Sequence, residues 1–146
     1  MKKQLYLFFI LILSISFSNC SQIAAGSYPY AELYKLDYPE SKVIKAIQAV
    51  KAKNLDLQVT EDLTDTDSTD YWHNEWFMVE NQLIKTWTRP SEKNKTTFAL
   101  VCVGTFGNCR QVNNELSSSE DSEIKEQFQE LVLDRVKIEL QNSNSH

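Results

Sequence analysis

Hydrophobic residues recur along this chain with two different periods, and these periods predict two helices with a set of strands between them. The first helix should follow residues 37–40, where Asp37 and Glu40 have the spacing of a capping box and Pro39 fits a first turn. Apolar residues then recur at helical intervals, at Val43, Ile44, Ile47 and Val50. A second helix over residues 120–140 begins after N-cap candidates at 117–119. Its apolar residues are Ile124, Phe128, Leu131, Val132 and Ile138.

Between these helices the apolar residues alternate with polar ones, which is typical of half-buried strands. Strands are predicted over residues 55–59, 76–80, 83–88, 96–103 and 108–113, with a turn at Asn81-Gln82. Consecutive strands with short connections favour antiparallel neighbours. We therefore predict an α+β fold, an antiparallel meander of four or five strands with the N-terminal and C-terminal helices packed on one face.

The first twenty residues indicate where the protein is exported. Lys2 and Lys3 precede a short apolar run over residues 5–17, and Ser18-Asn19-Cys20 follows it. This arrangement resembles a bacterial lipoprotein signal, although Phe17 and Asn19 differ from the usual lipobox. The resemblance implies lipidation of Cys20. Ordinary secretory cleavage and an uncleaved anchor are the alternatives, and all three place the folded part outside the cytoplasm.

The predicted organisation follows from that resemblance. Residues 1–19 would be the signal peptide, 20–31 a lipidated tether, 32–141 a single α+β domain and 142–146 a polar tail. Residues 21–26 lack the acidic run of some surface-exported lipoproteins, and Ser21 is not the aspartate that often retains lipoproteins in the inner membrane. The expected location is the outer membrane, facing the periplasm.

The net negative charge of the chain argues against a polyanionic ligand. Because residues 1–19 carry two lysines and no acid, their removal changes the formal net charge from −5 to −7. Nucleic-acid binding depends on Lys and Arg that neutralise phosphates, so a nucleic-acid partner is not expected.

The cysteines predict a disulfide. If Cys20 carries lipid, Cys102 and Cys109 remain, on either side of a predicted turn. Pairing Val103 with Asn108 would place the two cysteines directly opposite each other, close enough to bond. Two reduced, buried cysteines are the alternative. No zinc-type ligand set is apparent, and no metal or cofactor is predicted.

An acidic, aromatic segment is the main candidate for binding. No Lys or Arg lies between Asn54 and Ile84, whereas eight acids do: Asp56, Glu61, Asp62, Asp65, Asp67, Asp70, Glu75 and Glu80. Acids attract a basic partner, and aromatic side chains anchor protein interfaces. On a strand, Trp72 and Trp76 would lie on one face and Tyr71 and Phe77 on the other, so that one pair belongs to the core. The predicted contact residues are Asp65, Asp67, Asp70, Tyr71, Trp72, Glu75 and Trp76. The alternative is a solvated acidic rim over ordinary core aromatics.

No pattern indicates catalysis, so an enzyme is not expected. His73 has no serine or cysteine nucleophile placed beside it by any motif. In size, predicted location and charge the chain is similar to small immunity lipoproteins, and this resemblance implies an anchored protein that binds a basic protein partner in the envelope. The alternatives are a glycan- or cell-wall-binding module that stacks sugars on Trp72, Trp76 or Trp87, and a small hydrolase that uses His73.

Overall fold

The fold is α+β, with one antiparallel sheet of five strands and a set of helices. It is seen in a computed structural model that describes residues 28–59, 72–105 and 107–143. The strands are β1 (Glu32–Leu36), β2 (His73–Val79), β3 (Gln82–Pro90), β4 (Thr96–Thr105) and β5 (Asn108–Gln111). The helices are α1 (Glu40–Lys53), α2 (Ser118–Phe128) and α3 (Asp134–Asn142).

The sheet has the order β1-β4-β3-β2, and β5 pairs with β4 as well. Strands β2 to β5 form the predicted meander, and β1 is antiparallel to β4. The β2–β3 turn consists of Glu80 and Asn81, because Val79 pairs with Gln82. Both turn residues have positive φ, which suits the twist of a two-residue hairpin. The predicted turn at Asn81-Gln82 was therefore wrong by one residue.

The predicted strand over residues 55–59 is wrong. Leu55–Leu57 is a short 3-10 helix, with Leu57 buried in the core and Leu55 exposed. The alternation of apolar and polar residues over 55–59 reflects one buried leucine in a tight turn, and this turn does not pair with a strand. The first strand is instead β1, where Tyr34 and Leu36 pack into the core and Leu33 and Lys35 lie on the other side.

Helix α1 buries the predicted stripe, with Val43, Ile47 and Val50 inside the core. The predicted capping box is wrong, because the N-cap residue is Pro39 and no side chain caps the helix. Helix α2 does begin with a capping box, in which Ser117 and Glu120 bond reciprocally.

The C-terminal helix is interrupted by a π turn over Gln129–Leu133. One π turn changes the phase of the following residues by about one residue, or about 100° around the helix. Ile138 therefore leaves the buried stripe and is 54% exposed, contrary to prediction. Val136 and Leu140 take the buried positions of α3.

One core lies between the sheet and the helices. Phe77, Ile84 and Phe98 point from the strands toward helical residues that include Ile47 and Phe128. The ring of Phe128 lies 5.5 Å from the ring of Phe98 and 5.6 Å from that of Tyr34. Buried residues from all three helices belong to this one cluster, so the helices cover one face of the sheet and leave the other to a different set of side chains.

The disulfide between Cys102 and Cys109 is present, with the two Cα atoms 5.5 Å apart. The predicted register is wrong, because Cys109 pairs with Gly104 and Cys102 pairs with Gln111. The bond therefore joins diagonal rather than opposite positions. Gly104 has a φ of +156°, and a Cβ there would lie 2.2 Å from the carbonyl oxygen of Asn108, so this hairpin needs glycine.

Candidate functional site

The candidate site is the sheet face opposite the helices, which we call the aromatic face. Strand pairing arranges its positions in four rows across the sheet. These rows are Lys35–Thr97–Arg89, Leu33–Ala99–Trp87–Asn74, Gln111–Cys102–Lys85–Trp76 and Cys109–Gly104–Leu83–Met78. Because side chains alternate along a strand, each row presents its residues on the same side.

Three aromatic rings pack together on this face. The ring of Trp72 lies 4.5 Å from that of Trp87 and 6.0 Å from that of Tyr28, in edge-to-face contacts. Trp87 is only 2% exposed, whereas Trp72 and Tyr28 are partly exposed. Residue 28 was predicted to belong to a tether, but Tyr28 and Ala31 pack against the sheet. The domain thus includes part of the segment assigned to the tether.

Two cations lie against these rings. The guanidinium carbon of Arg89 is 4.8 Å from the centre of the Trp72 ring and 5.5 Å from that of Trp87. The amine of Lys85 is 5.2 Å from the Tyr28 ring and 5.6 Å from the Trp76 ring. Lys85 also donates a hydrogen bond to the Tyr28 hydroxyl at 3.1 Å. Such contacts hold the cations in place without neutralising them.

The charged residues of the described strands on the aromatic face are all basic. Among the described strand residues on this side none is acidic, while Lys35, Lys85 and Arg89 are basic. Lys51, Arg110 and Lys125 form ion pairs on the helical side or at its edge, whereas Lys35, Lys85 and Arg89 form no ion pair with the described residues. Among the described residues, the face therefore has an uncompensated positive charge, opposite in sign to the net charge of the chain.

Three buried polar atoms on this face lack a hydrogen-bond partner among the described residues. They are Oδ1 of Asn74, Nε1 of Trp87 and Nε of Arg89. Asn74 faces Trp87 across the β2–β3 pair, and Arg89 follows Trp87 by two residues on the same side. Buried polar groups are normally paired, so this concentration of unused hydrogen-bonding capacity is unusual.

Glu75 lies on the opposite side of β2. It is 5% exposed, and its carboxylate accepts a hydrogen bond from Lys51 at 2.7 Å and contacts His73 at 3.2 Å. Burial raises the pKa of Glu75, but the bonds from His73 and Lys51 outweigh burial, so the pKa lies below its ordinary 4.5. The hydrogen bond with Glu75 raises the pKa of His73 above 6.5, against the effect of burial. These three residues join α1 to the sheet.

The predicted site residues thus separate into three groups. Trp72 and Trp76 lie on the aromatic face, as the spacing of the two residues predicted. Glu75 is paired inside the protein and does not contribute to that face. The remaining predicted residues lie outside the described residues; these are Cys20, Asp65, Asp67, Asp70 and Tyr71.

Lys85 and Arg89 were not predicted as site residues, and Trp87 was named only as a possible platform for sugars. Lys85, Trp87 and Arg89 alternate with Ile84, Thr86 and Thr88 along β3, and this alternation was the available signal. The burial of Trp87 also excludes it as the stacking platform that the glycan-binding alternative allowed.

The residues that the structure describes show neither a metal site nor a membrane span. The described residues contain no group of three or more His, Cys, Asp or Glu side chains that could hold a metal ion. Within the same ranges, no helix is long and apolar enough to cross a membrane.

The chain matches no protein-family model, no curated protein and no solved structure.

Proposed function

We propose that this protein is a lipid-anchored, extracytoplasmic binding protein that holds a protein partner through its aromatic face. The observation that carries the proposal is the placement of Trp72, Trp76 and Arg89 on a sheet face that no described helix covers. Trp, Tyr and Arg are the residue types that dominate the energetics of protein interfaces.

Exposed apolar area on the same face supports this proposal. Leu33 is 54% exposed at one end of the row that contains Trp87, and Trp76 is partly exposed near the other edge. The partly exposed Trp72 and Trp76 are therefore available as anchors, and the buried Trp87 supports Trp72 from within the domain.

The anchor and the location in the envelope are part of the proposal. They depend on the signal-like residues 1–20, which place Cys20 a short distance before the folded part. An immunity-type protein that neutralises another protein at the membrane fits this arrangement. The basic partner predicted for the acidic segment 61–70 remains a prediction, because that segment lies outside the described residues.

The Trp76→Ala variant tests the proposal. In an affinity purification of the tagged full chain from its own cells, we expect this change to reduce recovery of the bound partner at least about tenfold, because it removes an interface anchor. The matched control is Leu55→Ala, which truncates an exposed leucine on the helical side.

Equal recovery with Trp76→Ala and wild type would contradict the proposal. Retention on purified cell wall that Trp76→Ala abolishes would support the glycan-binding alternative instead. Thermal unfolding of both variants shows whether the fold is retained.

A further inference from the structure

We infer that the aromatic face recognises an acidic segment of the partner protein, through Lys85 and Arg89. This inference rests on the proposed function and adds the chemistry of the partner. It begins from the juxtaposition of two partly buried cations, four aromatic side chains and three unpaired buried polar atoms on one side of the sheet.

The charges of Lys85 and Arg89 indicate an anionic partner. A partly buried cation is costly unless a partner compensates it. Lys85 and Arg89 are both partly buried, yet no carboxylate of the described residues lies within ion-pair distance of either. Two carboxylates supplied by a partner would compensate the two cations.

The position of the Arg89 guanidinium is restricted by two tryptophan rings. Its carbon lies 4.8 Å from the centre of the Trp72 ring and 5.5 Å from that of Trp87. The donors of a guanidinium lie at its edge, where a carboxylate binds in a bidentate manner. Fixing a donor group before binding reduces the entropy that association costs.

The spacing of Lys85 and Arg89 matches that of acidic side chains on an extended segment. Lys85 and Arg89 are four residues apart on β3, which corresponds to about 13 Å along a strand. An extended segment with acidic side chains four residues apart has the same spacing. Lys35 lies two strands from Arg89 in the same row, at about 10 Å, and can contribute to long-range attraction.

A protein segment fits better than a polyanionic surface. Nucleic acids and anionic membranes are bound by many cations together, whereas this face offers three and the chain as a whole has a net charge of −5. The apolar and aromatic surroundings of the cations also favour a partner that brings apolar side chains with its acids.

The test uses the full chain in detergent and synthetic peptides. The probe is a nine-residue peptide of alternating threonine and valine with glutamates at its third and seventh positions. Its controls carry glutamine or lysine at those positions. Tryptophan fluorescence reports binding, since Trp72 and Trp87 adjoin Arg89.

We expect the glutamate peptide to bind at least about tenfold more tightly than the glutamine peptide, with an affinity that falls as salt rises. Arg89→Gln and Lys85→Gln should each weaken binding at least about fivefold. Lys93→Gln is the matched control, because Lys93 is an exposed cation in the β3–β4 turn and should leave binding unchanged.

Three results would overturn the inference. Equal binding of the glutamate and glutamine peptides would show that the aromatic face does not recognise negative charge. Tighter binding of the glutamate peptide after neutralisation of Asp65, Asp67 and Asp70 would show that the chain's own acidic segment occupies the face. Binding to anionic vesicles that Arg89→Gln abolishes would indicate a membrane surface.

The two proposals fail separately. If partner recovery depends on Trp76 but not on Lys85 or Arg89, the inference about acidic recognition is wrong and the proposed function stands. If recovery depends on none of the three residues, the proposed function itself is wrong.

Discussion

Phe128→Ala should lower the free energy of unfolding by about 3–5 kcal/mol, because truncation of a fully buried phenylalanine removes transfer energy and leaves a cavity. The Phe128 ring contacts Tyr34 of β1 and Phe98 of β4, so the cavity would lie where the C-terminal helix meets two strands. Chemical denaturation followed by tryptophan fluorescence measures this change, and the midpoint of thermal unfolding should fall by about 10–20 °C.

Ile138→Ala is the matched control on the same helical segment. Ile138 lies beyond the π turn and is 54% exposed, so its truncation should change the free energy of unfolding by less than about 0.5 kcal/mol. A loss at Ile138 comparable to that at Phe128 would mean that the helix is regular and that the π turn is misplaced.

Glu75→Gln is expected to lower the free energy of unfolding by about 2–4 kcal/mol near pH 5.5. The substitution leaves the partly buried Lys51 amine and the His73 ring without a negative partner. Glu139→Gln is the matched control, since Glu139 pairs with the exposed Lys53 and such surface pairs contribute less than about 1 kcal/mol.

The effect of Glu75→Gln should depend on pH. The lowered pKa of Glu75 means that its contribution is present above 4.5 and is lost as pH falls through the folded-state value. The raised pKa of His73 means that its contribution is complete below 6.5 and is lost as pH rises through the folded-state value. The difference between wild type and variant should therefore be largest between about pH 4.5 and 6.5. A difference that stays constant from pH 3 to 8 would contradict this account.

Long periodic segments of the fold could be predicted from the sequence. The stripe of Val43, Ile47 and Val50 and the β-prone run that begins at Thr96 are both strong local patterns. In contrast, β1 has five residues and gains its stability from pairing with β4, a contact distant in sequence. Leu57 belongs to a 3-10 turn and is buried. A short alternation of apolar and polar residues does not distinguish such a turn from a strand.

The candidate site was predictable only in part. The spacing of Trp72 and Trp76 placed them on one side of the sheet correctly, but charge counted along the sequence associated them with acids. In three dimensions Trp72 and Trp76 contact Arg89 and Lys85, which come from the next strand, and Glu75 pairs with Lys51 across the core. Strand pairing determines which charged residues lie beside an aromatic side chain. Sequence composition does not specify strand pairing.

Hydroxyl-radical footprinting of the full chain, with and without the partner recovered from its own cells, tests most directly whether the aromatic face is the binding surface. We expect the bound partner to reduce oxidation of Trp76 and Leu33, on the aromatic face, and to leave Leu55 and Ile138 unchanged. Protection of Leu55 or Ile138 with no change at Trp76 would contradict the proposal and would place the interface on the helical side.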